Sequence, residues 1–442
     1  MKKNIGFVGV AIAVVSIVLA NLIIAIAAPN LFKMSNNVVF ISGEPLLSET
    51  GEIKGDGSGK DADNPLIPHN YESGYSYLNT ALYQATEKLK NSGGTVVIMG
   101  RCYFNDIDVC TAKFGENKIV FTSVYNGIDY RKSNDAKIIL DGNSSISVLG
   151  SSVWENIAFE TVTEDRVISF NGYRTEIGNG VECRLSDSKK VNESAYYLSL
   201  CAGSMTESSY GQAFFLSIKS GTYHKIVAGI WGENIKQTAE DIHTKLYLGG
   251  SVKVLGLISG TAQGKCDFGG SVDITIDDGV YECDIVGAFG SGMTNSDSRV
   301  SIKINGGNFS KVWSICDCGV GCKNDSPQYS VLDFSAWRGE LSELAYAYNA
   351  VNFFHEVLLP DNVTSDELRN FDFESSVETE ESGDVEISDI TETKTDVSES
   401  SEQITEKQGY NDVLLISGWV IITALLVIVS VFARNKRRKN TV

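Results

Sequence analysis

Three six-residue segments of this chain share one form: IKSGTY at 218–223, IDDGVY at 276–281 and INGGNF at 304–309. A weaker copy, YLGGSV, lies between them at 247–252. Their glycines, Gly221, Gly250, Gly279 and Gly307, stand 29, 29 and 28 residues apart, which makes the feature a repeat. Positions three and five before the glycine are apolar in three copies: Leu216 and Ile218, Ile274 and Ile276, Ile302 and Ile304. The residues between them are polar, and this period of two is that of a strand with one face inward. The Gly250 copy departs from the pattern, with Lys245 where an apolar residue belongs. A small turn residue precedes every one of these glycines, as a bend requires.

A unit of under thirty residues cannot bury its own apolar face, so it must stack on its neighbours. Propeller blades run longer, about 40 to 50 residues, and leucine-rich repeats space their leucines differently. One coil of a parallel β-helix fits, and the expected fold class is all-β. Stacking then sets Tyr223, Val252, Tyr281 and Phe309 in one column, about 4.8 Å apart. Residues 77–91 place Leu78, Ala81, Leu82, Ala85 and Leu89 on one helical face, and Ser92-Gly93-Gly94 ends that helix. It is expected to cap the open first coil. Proline is absent from 69 to 326, which suits long ladders.

The segment DGSGKDADNPL at 56–66, the helix after it, and NSGGTVVIMG at 91–100 together resemble the opening of pectin-lyase-like right-handed β-helix proteins. The resemblance covers roughly residues 36–325 and implies a right-handed solenoid; that fold hosts lyases, hydrolases, esterases and non-enzymatic surface proteins alike. Of the group's catalytic patterns only the Asp-Asp pair of the polygalacturonases occurs, at Asp277-Asp278. No Arg-x-Pro-x-x-Arg segment occurs, nor Gly-His-Gly, nor Arg-Ile-Lys, and residues 285–290 lack the nucleophilic Asp of the esterase strand.

The two ends point to a membrane. Residues 1–28 read as a signal peptide or an uncleaved signal anchor, with MKKN, an apolar run and a small-residue site. Residues 413–433 form an uncharged apolar run long enough to cross about 30 Å of hydrocarbon, and five Lys and Arg follow within 434–442. The predicted order is therefore an ectodomain at 29–360, an acidic stalk at 361–411, a transmembrane helix at 412–433 and a basic cytoplasmic tail at 434–442. The stalk holds too few apolar side chains to offset the entropy of folding. This end resembles the wall-sorting signal of Gram-positive surface proteins, without its Leu-Pro-x-Thr-Gly motif, so a single-pass protein of a bacterial cell membrane is expected. A net charge of −19 argues against nucleic acid as a partner. Nine cysteines leave at least one thiol unpaired or paired between chains.

Three groups of residues are candidate sites. Asp273, Asp277 and Asp278 put two carboxylates on one strand face and a third at the turn. Such a set can ligate Ca²⁺, or act as acid and base on an anionic sugar; the alternative is outer-face polarity plus a turn Asp. Cys316, Cys318 and Cys322 can hold Zn²⁺ through three thiolates, or form a disulfide or buried thiols. Trp231 and Trp313 are candidate sugar platforms if they face outward. The four histidines lie in no catalytic motif. The function expected is adhesion, or recognition of carbohydrate or another surface, without catalysis. The alternatives are a lyase or hydrolase of acidic polysaccharide, and a structural spacer.

Overall fold

A computed structural model describes residues 37–43, 56–67, 76–186, 194–205, 214–232, 236–237, 243–263, 267–268, 270–288, 299–318 and 329–373. Both apolar runs expected at a membrane, and the stalk beyond residue 373, lie outside them. Among the described residues no helix is long and apolar enough to cross a membrane.

Three parallel ladders carry the chain. The first begins with Val38–Ile41 against Gly94–Ile98 and continues through Gly115–Thr122, Gly150–Glu155 and Thr175–Ile177. It then takes the first parts of Phe215–Val227 and His243–Ser259, followed by Ser271–Ile276, Arg299–Ile304, Tyr329–Asp333 and Glu356–Leu358. A second ladder runs from Asp108–Cys110 to Val351–Asn352, and a third holds Arg101–Asn105, Lys137–Asp141, Ala158–Thr161 and Glu182–Leu185. The result is a mostly parallel β solenoid, compatible with a β-helix.

Period-two patterning becomes an interior here. Ile218, Leu248, Ile276 and Ile304 are Cα partners on successive rungs, each with no side-chain exposure. In the second ladder Ile146, Ile168, Leu200, Ile226, Ile258, Ile285 and Ile315 form a longer aliphatic column. Full burial of each such side chain is worth about 1.5–3 kcal/mol.

The repeat glycines make a bend within each coil. Gly221, Gly279 and Gly307 have φ of +104°, +126° and +121°, a region closed to most side chains. An aromatic ring two residues later folds back under the bend, where Tyr223 and Tyr281 donate their hydroxyls to the carbonyls of Ser220 (2.9 Å) and Asp278 (2.6 Å). A Cβ on Gly279 would sit 2.7 Å from the Tyr281 hydroxyl and 2.8 Å from the Val252 carbonyl.

The predicted column needs one correction. Val254, not Val252, pairs with both Tyr223 and Tyr281, and Tyr281 stacks on Phe309 at 5.0 Å. Ile218 pairs with Leu248 but Ser220 pairs with Ser251, so Lys219 faces both Gly249 and Gly250. That extra residue slips the register of the weak copy. Leu246 and Leu248 therefore turn inward, and Lys245 turns out.

Helical segments lie at the two ends of the described core. At the N-terminal end Thr80 caps the helix Ala81–Leu89, accepting from Tyr83 N at 3.2 Å, while Ala81, Leu82, Ala85 and Leu89 join the core with Val39 and Val96. Leu78 falls in a preceding 3-10 turn and is 45% exposed, because the chain changes direction at Thr80. Thr80→Ala is expected to cost about 1 kcal/mol of stability, read from urea unfolding curves. At the other end Leu341–Asn349 and Ser365–Arg369 bury Leu344, Ala345, Ala347 and Leu368. Leu368 is wholly buried, so the folded part continues past Pro360, where the sequence places the start of the stalk.

Candidate functional site

Where the register slips, the first ladder's outer face opens into a groove of about 350 Å³. Leu246 and Ile274, whose side chains turn inward, border it, and the rest of its lining comes from two adjacent outward columns. Phe215, Lys245, Asp273 and Ser301 are successive partners in one, and Tyr247, Thr275 and Lys303 in the other. The strand alternation places all of these side chains on the sheet's outer face, with rungs about 4.8 Å apart.

Both aromatic rings are anchored. The Arg174 guanidinium lies 3.9 Å from the centre of the Phe215 ring, a cation–π contact. Tyr247 donates its hydroxyl to Asp277 Oδ2 at 2.7 Å, and a Cβ on Gly249 would approach that hydroxyl to 3.1 Å. The hydrogen bond to Asp277 pushes the Tyr247 phenol up, so it stays protonated and donates.

Asp277 also accepts from Asn305 Nδ2 at 2.6 Å and pairs with Arg338 Nη2 at 3.2 Å. Burial opposes its ionisation, yet the hydrogen bonds from Asn305 and Tyr247, with the Arg338 and Lys303 charges, hold its carboxyl below the usual range. Lys303 lies 3.7 Å from Asp333. Lys245 and Asp273 are exposed neighbours across the ladder and form neither a hydrogen bond nor an ion pair with other described residues.

The three candidate carboxylates thus have three separate situations. Asp273 opens into the groove, Asp277 braces its wall, and Asp278 Oδ1 accepts from Gly279 N at 2.8 Å in the bend. They do not converge on a cation, and among the described residues no three His, Cys, Asp or Glu side chains form a metal-holding group. Cys318 is disulfide-bonded and so offers no thiolate; Cys322 lies outside the described residues. Cys316 is a buried thiol packed with Leu257 and Val286, and burial pushes it up to about 11. Trp231 is half-buried, with the Lys225 ammonium 5.5 Å from its ring, whereas Trp313 is 63% exposed.

A serine, a histidine and an aspartate do meet elsewhere. Ser330 Oγ lies 2.7 Å from Asp317 Oδ2 and 2.8 Å from His355 Nδ1, and it accepts from His355 N. The serine stands between the other two and is wholly buried, so it ties the last rungs together and presents no nucleophile.

No sequence motif marks Phe215, Lys245, Tyr247, Thr275, Ser301 or Lys303 as a site residue. The one signal in the sequence was Lys245, the residue that broke the repeat. Comparison of the chain with protein-family models, with characterised proteins and with solved structures finds no match.

Proposed function

We propose that this protein is a cell-surface, right-handed β-helix of the pectin-lyase-like kind that binds an anionic glycan in the groove and does not cleave it. The observation that carries this reading is the pairing of two anchored rings with a lysine that has no partner among the described residues, on one outer sheet face. Aromatic faces stack on the apolar side of sugar rings, and a few polar groups then fix orientation. Lys245 is the groove cation that no described carboxylate pairs, so its charge favours an acidic sugar over a neutral one. Asp273 alone is an open carboxylate there, whereas glycoside hydrolysis uses a pair about 5 to 9.5 Å apart. The apolar run at 413–433 and the basic residues after it support membrane anchoring with the solenoid outside.

Calorimetric titration of the purified solenoid with polygalacturonate, alginate, hyaluronate and neutral cello-oligosaccharides tests the reading. Binding is expected for a carboxylated chain, weakening as salt rises because the charged contacts are exposed. New reducing or unsaturated ends would replace this reading with a lyase or hydrolase. Binding to none of the panel would overturn it.

A further inference from the structure

We infer that Asp277 is a positioning residue for the groove, holding the ring of Tyr247 in place as a binding platform. The inference rests on the glycan-binding reading and concerns how that site is kept in order.

Three donors reach this carboxylate from three parts of the chain. Tyr247 comes from the rung before it, Asn305 from the rung after it, and Arg338 from the segment leading to the C-terminal helices. Arg338 is itself located by its backbone N–H, which donates to the Asn305 carbonyl at 2.8 Å. An exposed ion pair alone gives little stability, so the Arg338 contact alone does not account for a carboxylate set this way. Its consequence for Tyr247 is specific. The side chain leans along the strand over Gly249, where any Cβ would stand 3.1 to 3.4 Å from its hydroxyl and ring carbons. The same doubled glycine that shifts the register clears the space for the ring, and Asp277 fixes its far end. A ring so held loses little freedom when a sugar stacks on it, and affinity gains what an untethered ring would lose on binding.

Calorimetric titration with a polygalacturonate octamer separates this from a purely structural role. Tyr247→Phe keeps the ring and removes the tether, and is expected to weaken binding about fivefold, the worth of one side chain's freedom. Asp277→Ala is expected to do the same, and the double variant to bind no more weakly than either single one, because both remove one interaction. Phe215→Ala serves as the control for the groove. If Phe215→Ala loses affinity while Tyr247→Phe binds like the wild type, or if the two tether losses multiply, the positioning role is wrong. If the wild type fails to bind, or Phe215→Ala binds normally, the groove reading itself falls and takes this inference with it. Tyr247→Phe removes one part-buried hydroxyl and keeps the ring, so it decides the question even where Asp277→Ala misfolds.

Discussion

Tyr281→Ala is expected to lower the unfolding free energy by about 3 to 5 kcal/mol, the range for removing a large buried ring. The ring is wholly buried, stacked on Phe309 at 5.0 Å with 18° between planes, and its hydroxyl is held by the Asp278 carbonyl. Val254 lies on its other side as its partner on the previous rung. Neither neighbour can move in to fill the gap, because the rungs fix their spacing. Each coil of a solenoid touches only the coils next to it, so the damage should be local. Hydrogen exchange is expected to quicken in the rungs that carry Val254, Tyr281 and Phe309, and to stay slow around the Phe121–Trp154 stack at 4.1 Å. Tyr281→Phe keeps the ring and forfeits one hydrogen bond, about 1 kcal/mol. Uniform loss of protection along the whole solenoid would show that its coils unfold as one unit, contrary to this account.

Those same residues explain what was legible in the sequence. The requirements of a bend and a two-sided strand are local, so glycine spacing and apolar alternation recovered the rungs from Leu216 to Phe309. Upstream the same ladders exist, but the repeat is hidden. Val96, Phe121, Trp154, Ile177 and Ile218 are successive rung partners separated by 25, 33, 23 and 41 residues. Insertions at the corners absorb the difference without disturbing the ladder. Asn156 makes its bend with φ +52°, since Asn tolerates the left-handed region that elsewhere falls to glycine. A pattern of glycine at constant spacing passes over such coils. The slipped register at Gly249 and Gly250 was also hidden, because one added residue reverses the facing of every residue before it.

The groove was less legible for a different reason. Outward positions on a solenoid accept many polar residues, and nothing in their spacing tells a solvated flank from a site. Lys245 was visible only as an irregularity, and the irregularity is where the groove lies. Asp277 stood out as part of a carboxylate cluster, yet its role depends on Arg338, sixty-one positions further along the chain. That proximity belongs to the fold. The weak fourth copy departs from the local rule of the repeat, and the groove of the proposed function lies beside it.

Removing both rings, as Phe215→Ala with Tyr247→Ala, is expected to cost about 2 kcal/mol or more of glycan binding, a loss of about thirtyfold, as for the aromatic anchors of other interfaces. Phe215 and Tyr247 lie on neighbouring rungs in adjacent columns, so a sugar ring of the bound chain can rest on each in turn. Without them the sheet offers Lys245, Asp273 and Lys303 to a fully hydrated ligand, and exposed charges alone bind weakly. Neither ring is part of the buried interior, so the thermal midpoint should stay close to that of the wild type. Lys245→Ala offers the contrast, because losing one exposed cation should flatten the salt dependence and cost less affinity than losing the rings. A double variant that still binds polygalacturonate normally would move the site off this face, and Trp313, the most exposed tryptophan among the described residues, would be the next position to substitute.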